Sequence, residues 1–260
     1  MFRAKEYVRA KSLQEAYDLN QKRSSVLLGG MMWLKMGRND KGTAIDLSEL
    51  GLDGIEEDET EFRIGCMCSL RRLEQHEGLN RYFGGVWKEC TRFIVGTQFR
   101  NTATVGGSVF GRYGFSDILT CLMVLDAQVE LYQGGIIPIA AFAGMKYDRD
   151  ILVRVIIRKD GRRAAYTSQR RSKTDFPLIA CGLARKEGIW YAAIGARPEK
   201  AVLVTAPVTE EPFEVQAKEL ADRFCFRDNL RGSGDYRRHL AGIYMRRLME
   251  QLGEEDLECR

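Results

Sequence analysis

With two histidines in 260 residues, His76 and His239, and no C-x-x-C pair, this chain has little with which to hold a metal. Zinc and iron–sulfur sites draw on closely spaced cysteine and histidine, so no such site is expected within it. The seven cysteines (Cys66, Cys68, Cys90, Cys121, Cys181, Cys225, Cys259) are odd in number and irregular in spacing. That argues against a disulfide framework and fits a reducing compartment. Cys66 and Cys68 alternate in a strand-like segment and read as small apolar core residues. No apolar run reaches the roughly 18 residues of a membrane helix, and the opening MFRAKEYVRA has no signal-peptide core, so the expected location is the cytoplasm, with no membrane partner. Lys plus Arg number 40 against Asp plus Glu 36, a net charge of +4 spread along the chain, which makes no case for nucleic acid. There is no G-x-S-x-G, no readable Cys/His pairing and no carboxylate pair to nominate for acid–base work. No catalytic residue is therefore expected in this chain, and any reactivity is expected from a bound cofactor.

What the chain does have is two glycine pairs in suggestive settings. Residues 97–117 read TQFRNTATVGGSVFGRYGFSD, placing Asn101, Thr104, Val105, Gly106, Gly107 and Ser108 close together with the acid Asp117 after them. Glycines and hydroxyls in such a run suit close approach to a phosphate. The same residues also read as a strand, a Gly-Gly turn and a loop without a ligand. Earlier, SSVLLGGMMWLKMG runs from the apolar Val26, Leu27 and Leu28 through Gly29 and Gly30 into Met31, Met32 and Trp33 in a helix-compatible order. Strand, glycine turn and helix would aim N–H groups at an anion. Neither G-x-G-x-x-G nor G-x-x-x-x-G-K-[ST] is present, so the Rossmann and Walker readings do not apply. Two such loops in one chain point to a bipartite site for an extended dinucleotide.

Around these loops the pattern first alternates helix and strand. Ser12 and Glu15 form a capping box for a helix over 12–22, strands fall at 25–28 and 43–47, and this unit ends near Gly54. A strand over 61–66, Ser69 as a cap, two short helices over 70–90 and a buried helix over 118–125 follow. Residues 56–59 read as a solvated acidic turn. Hairpins turn at Gly134-Gly135, Asp160-Gly161 and Lys186-Glu187-Gly188, with period-2 strands on either side. A last amphipathic helix starts near Asp235, capped by Ser233 or Asp235, with Arg237, Arg238, Arg246 and Arg247 off its apolar face.

The pairing of LLGG with FRNTATVGGSVF and SDILTCLMVLDAQVEL resembles the FAD-binding medium subunit of molybdopterin-dependent hydroxylases, the family of xanthine dehydrogenase and carbon monoxide dehydrogenase FAD subunits. AIDLSEL, FRIGCMCSLRRLE, QRRSKTDFPLIACGLA, AAIGARPEKA and LRGSGDYRRHLAGIYMRR continue the resemblance in order along the chain. It implies an α+β architecture, the vanillyl-alcohol-oxidase-type (PCMH-type) FAD-binding fold. The subdomains would be an N-terminal α/β unit at 1–54, a central α+β unit at 55–158 and a C-terminal antiparallel sheet with helices at 159–260.

By the same resemblance, Val26, Leu27, Leu28, Gly29, Gly30, Met31, Met32 and Trp33 would wrap the FAD pyrophosphate from one side. Asn101, Thr104, Val105, Gly106, Gly107 and Ser108 would hold it from the other. Asp117 would reach a ribose or adenine hydroxyl, Ile151 or Leu152 would lie near the isoalloxazine face, and Tyr166 would sit beside the flavin. The implied function is electron transfer as an FAD-dependent, xanthine dehydrogenase-like oxidoreductase subunit, from iron–sulfur clusters of one partner, served by a large molybdopterin-binding subunit, to NAD or another acceptor. Met31-Met32 departs from the small or hydroxyl residues relatives carry after the first Gly-Gly. A stand-alone flavin-dependent NAD(P)H oxidoreductase and a flavin-free scaffold are the competing expectations.

Overall fold

The computed structural model describes residues 2–258; Cys259 lies outside them. Strands β1 (Arg3–Arg9), β2 (Val26–Leu28) and β3 (Asp40–Asp46) form a parallel sheet in the order β1-β3-β2, crossed by α1 (Leu13–Asn20). The cap of α1 is as its sequence implies: Ser12 Oγ accepts the Glu15 N–H at 3.1 Å, and Glu15 reaches back to the Lys11 N–H at 2.8 Å. Strand β1 has no counterpart in the sequence reading. Its RAKEYVR is almost wholly exposed, as suits a sheet edge that charge protects from further pairing, and it leaves no alternation to read.

The helix expected after Gly30 is reduced to one 3-10 turn at Leu34–Met36. Met31 has φ +56°, a left-handed conformation that a right-handed helix cannot run through.

A five-stranded antiparallel sheet follows, β4 (Ile55–Glu57), β5 (Glu61–Gly65), β6 (Gln128–Leu131), β7 (Gly135–Pro138) and β8 (Leu152–Arg158), in the order β4-β5-β8-β6-β7. Part of the acidic run thus lies in β4 rather than in a free turn, and Glu57 pairs with Lys159 at 2.8 Å. Between β5 and β6 come α2 (Leu70–Gln75), α3 (Glu77–Tyr82), α4 (Val86–Thr91), α5 (Thr97–Thr102), α6 (Val105–Phe110) and α7 (Asp117–Val124), and α8 (Ile139–Gly144) follows β7. Three helices occupy 70–91 where two were expected, because Gly85 at φ +78° adds a second break.

The third sheet, β9 (Arg163–Gln169), β10 (Ile179–Lys186), β11 (Ile189–Gly195) and β12 (Val202–Pro207), is an antiparallel meander carrying α9 (Phe213–Asp222) and α10 (Gly234–Glu258). Every residue of α7 is buried; the helix packs on β10 and β11 and joins the sheets into one body. Phe62, Leu73, Trp87 and Leu122 belong to the core of the first two sheets, and Leu183, Trp190, Met245 and Leu252 to the core beneath α10. Ser233 Oγ accepts from the Tyr236 N–H and caps α10. Arg237, expected on a solvated face, is fully buried and donates to the carbonyls of Leu178, Arg227 and Gly232 and to Asn229 Oδ1. It ties the helix start to the loop before it. Among the described residues no helix is long and apolar enough to cross a membrane.

Candidate functional site

The two glycine pairs meet in space, and the close approach they permit is first of chain to chain. A Cβ at Gly30 would lie 1.9 Å from the Thr102 carbonyl oxygen and 2.9 Å from Ala103 Cα, so only glycine lets the β2 loop seat against the end of α5. Gly106 is equally confined, its Cβ position 2.6 Å from the Cys66 carbonyl oxygen. Gly29 and Gly107 face the other way, each approached only by Thr104 Oγ1, at 2.9 and 3.2 Å. Gly106 and Gly107 are thus not a turn but lie inside α6, which Thr104 caps by accepting the Gly107 N–H at 3.1 Å.

The backbone donors divide unevenly between the segments. In α6 the first four N–H groups are committed within the protein: Val105 to Cys68 O, Gly106 to Cys66 O, Gly107 to Thr104 Oγ1 and Ser108 to Thr104 O. The loop at 29–33 is the reverse. None of its five N–H groups donates to another group among the described residues, and the left-handed Met31 bends it as anion-binding nests are bent. The phosphate-binding donors expected from both segments are therefore available from the first alone.

Two cavities open from this junction. The larger, about 910 Å³, is walled by Met31, Met32, Trp33, Ile94, Phe115, Asp117, Arg170 and Phe176. The smaller, about 480 Å³, is walled by Ser25, Leu28, Cys66, Phe110, Ile151 and Leu152. Val26, Leu27, Gly29, Thr104 and Gly107 border both and form the waist between them.

At the inner end of the larger cavity, Asp117 Oδ1 accepts from Tyr166 Oη and Arg170 Nη2, both at 2.5 Å. Burial pushes the Asp117 carboxyl above its usual range, against the pull of Arg170 and Tyr166. Burial and the neighbouring carboxylate push the Tyr166 phenol far up, so it stays a donor. Arg170 also holds the Asp175 carbonyl, while its Nε, deep in the wall, has no partner among the described residues. The outer rim is aromatic: Trp33 stacks on Phe176 at 5.5 Å, Phe115 meets Phe176 edge-on at 4.6 Å, and Tyr113 stacks on Phe115 at 5.1 Å. Around the smaller cavity, burial pushes the Cys66 thiol up to about 12, leaving it an apolar wall residue.

Of the residues nominated from sequence, Val26, Leu27, Leu28, Gly29, Gly30, Met31, Met32, Trp33, Thr104, Gly106, Gly107, Ser108, Asp117 and Leu152 border one or both cavities. Asn101 is exposed on α5, Val105 is buried in the core, and Tyr166 acts on the larger cavity only through Asp117. Ser25, Arg170, Phe115 and Phe176 border the site without having been nominated. For Arg170 and Phe176 a signal existed, since both lie in QRRSKTDFP; Ser25 and Phe115 carry none that local pattern reveals.

Carbon monoxide dehydrogenase from Oligotropha carboxidovorans matches this structure with a TM-score of 0.82 at 22% identity, over 94% of this chain and 96% of that one. Quinoline 2-oxidoreductase from Pseudomonas putida 86 matches with a TM-score of 0.82 at 18% identity, over 95% of each. The architecture they share with it is the α+β, PCMH-type FAD-binding fold. In sequence the chain is 26% identical to the uncharacterized protein YgfM of Escherichia coli (strain K12), over 96% of this chain and 98% of that one. Residues 1–159 match the family described as the FAD binding domain in molybdopterin dehydrogenase. With both glycine segments inside that match and facing one two-lobed cavity, the chain belongs to the family of FAD-binding domains of molybdopterin dehydrogenases.

Proposed function

We propose that this chain holds one FAD across both cavities, as the flavin subunit that carries electrons in a multi-subunit molybdenum hydroxylase. The observation that carries the reading is the waist. Five uncommitted N–H groups run from Gly29, where the two cavities meet, along residues 30–33 in the wall of the larger one, the place for a charged pyrophosphate linking two ring systems. The larger tricyclic isoalloxazine belongs in the larger cavity and the adenosine in the smaller, which reverses the ends assigned to Asp117 and Leu152 from sequence. Bound there, FAD supplies a ring that takes up and passes on electrons.

The chain's own residues bind, orient and shield. Gly29 and Gly107 keep the waist open, and Met31 and Met32 offer backbone donors, so the phosphate needs no hydroxyl from their side chains. Trp33, Phe115 and Phe176 exclude water from the outer rim. The Asp117–Tyr166–Arg170 cluster fixes the Arg170 guanidinium in the wall of the larger cavity. Electrons would come from an iron–sulfur subunit, itself served by a large molybdopterin-binding subunit, and leave to NAD or another acceptor.

The test is the visible spectrum of the purified chain with the heat-released compound identified by mass. Flavin bands and the mass of FAD are expected. A colourless chain that takes up no added FAD refutes the reading.

A further inference from the structure

We infer that Val95 is an apolar wall for the flavin ring, held in a backbone conformation that valine disfavours; the inference rests on the FAD reading above and on the ring's place in the larger cavity. Among the described residues six non-glycines have positive φ, and Val95, at +50°, alone is β-branched. A branched Cβ makes the left-handed region an outlier conformation. The glycine that would relieve it stands one residue further on. Gly96 is extended at φ −128°, and a Cβ added there meets nothing nearer than Gln98 Oε1 at 3.8 Å. The backbone would be better served by glycine at 95 and a side chain at 96, so the fold alone does not account for the valine.

The conformation is imposed from both sides. The Ile94 N–H donates to the Thr91 carbonyl at 2.8 Å, and the Ile94 carbonyl accepts from Arg100 Nη1 at 3.3 Å. On the other side of Val95, the Gly96 carbonyl accepts the Arg100 N–H at 3.0 Å and starts α5. Arg100 is itself 6% exposed and is locked by both oxygens of Glu74. Strained residues persist where their surroundings over-determine them in this way, and they gather at ligand sites.

What the clamp presents is a surface. Val95 lines the larger cavity beside Phe93 and Ile94 and is 46% exposed. A half-exposed valine gives the fold little burial, but a flat apolar ring laid against it would cover it. Its pinned backbone and stiff χ1 make that wall ready in advance, so closing it against a ring costs little conformational freedom.

Because the strain belongs to the chain and the contact to the ligand, one substitution should move stability and binding in opposite directions. Flavin is stripped from the full-length chain, and FAD and FMN are titrated by flavin fluorescence into wild type, Val95→Gly, Val95→Asn and Val95→Ile. FMN has the ring and one phosphate but no adenosine. Glycine and asparagine both accept the left-handed region, whereas isoleucine keeps the branched wall.

Val95→Gly and Val95→Asn should bind FAD and FMN about tenfold more weakly, by the same factor for each ligand, as expected when the contact of about two methyl groups is lost. Their flavin-free chains should melt about 2–4 °C above wild type, and Val95→Ile should match wild type in both respects. Unchanged flavin affinity in Val95→Gly and Val95→Asn overturns the inference. So does a loss of FAD affinity without loss of FMN affinity, which would put Val95 at the adenosine end. A lower melting temperature in both variants overturns it too, since Val95 would then be a support of the fold. Failure of wild type to take up FAD would instead overturn the FAD reading, and this inference with it.

Discussion

Gly107→Asp separates binding from folding at the waist. The position lies within α6, and an added Cβ meets only Thr104 Oγ1 at 3.2 Å. The tight contact is offset by the helix propensity recovered on replacing glycine, so the unfolding free energy should stay within about 1 kcal/mol of wild type. Binding is another matter, because Gly107 borders both cavities. A carboxylate about 5 Å from a phosphate charge, at an effective dielectric near 20, costs about 3 kcal/mol. That weakens FAD by more than about a hundredfold for each charge so placed.

Gly30→Ala gives the opposite profile. Its Cβ falls 1.9 Å from a backbone carbonyl oxygen that no rotamer can move, so the two segments must part. About 2–3 kcal/mol of stability should go with the binding. Urea unfolding of the flavin-free chains and FAD titration read the two quantities separately. Full flavin occupancy in Gly107→Asp, or equal destabilisation by both variants, would refute the placement of the site.

Glu74→Gln should cost about 3 kcal/mol by urea unfolding, since it leaves the Arg100 charge buried without its carboxylate; Arg100 Nε and Nη2 and Arg71 Nη1 all donate to Glu74. Burial works to raise the Glu74 carboxyl, but those bonds hold it below its ordinary 4.5. The stability it contributes is thus complete above that pH and lost as pH falls through the depressed value, so the acid limb of stability against pH should be shallower in Glu74→Gln. Asp117 has the opposite sign. Its carboxyl is raised above 3.8 by burial, so ionising it in the folded chain subtracts stability as pH rises through that window. The unfolding free energy of Asp117→Asn minus that of wild type should increase with pH there, and a flat difference would contradict the buried placement.

How far the sequence could be read follows from how local each signal is. The α1 cap and the hairpins at Gly135 and Gly188, both at positive φ, are written in a few neighbouring residues, whereas Asp160-Gly161, expected as a third hairpin, carries the chain from β8 in the five-stranded sheet to β9 in the third sheet, and those two strands do not pair. The period-2 alternation expected of β10 and β11 is not there, because helices cover the sheet and residues 179–184 of β10 are buried throughout. Strand β1 could not be read, because an exposed edge strand spends its side chains on charge and solvent.

Helix α6 was hidden for a different reason. Two glycines and two valines argue against a helix by propensity, yet Gly106 must lie there to fit against Cys66 and Thr104 supplies the cap. Arg237 looks like any surface arginine until the distant Leu178 carbonyl and two carbonyls of the loop before the helix gather round it. At the site, glycine pairs advertise themselves in sequence. Which of their amides are already bonded depends on Cys66 and Cys68, partners on another segment, and so does not show there.

The waist also sets a timetable for synthesis. The pairing of β2 with β3 can be complete once Asp46 is made, but the seat for Gly30 arrives only with Thr102 and Ala103. Arg170 and Phe176, the far wall of the larger cavity, come later still. At about 5–20 residues per second, a ribosome needs on the order of ten seconds to pass from the first loop to that wall. A nucleotide meeting the nascent chain in this interval finds a row of donors with nothing opposite them, so loading must wait until residues beyond the matched 1–159 segment have emerged and folded back.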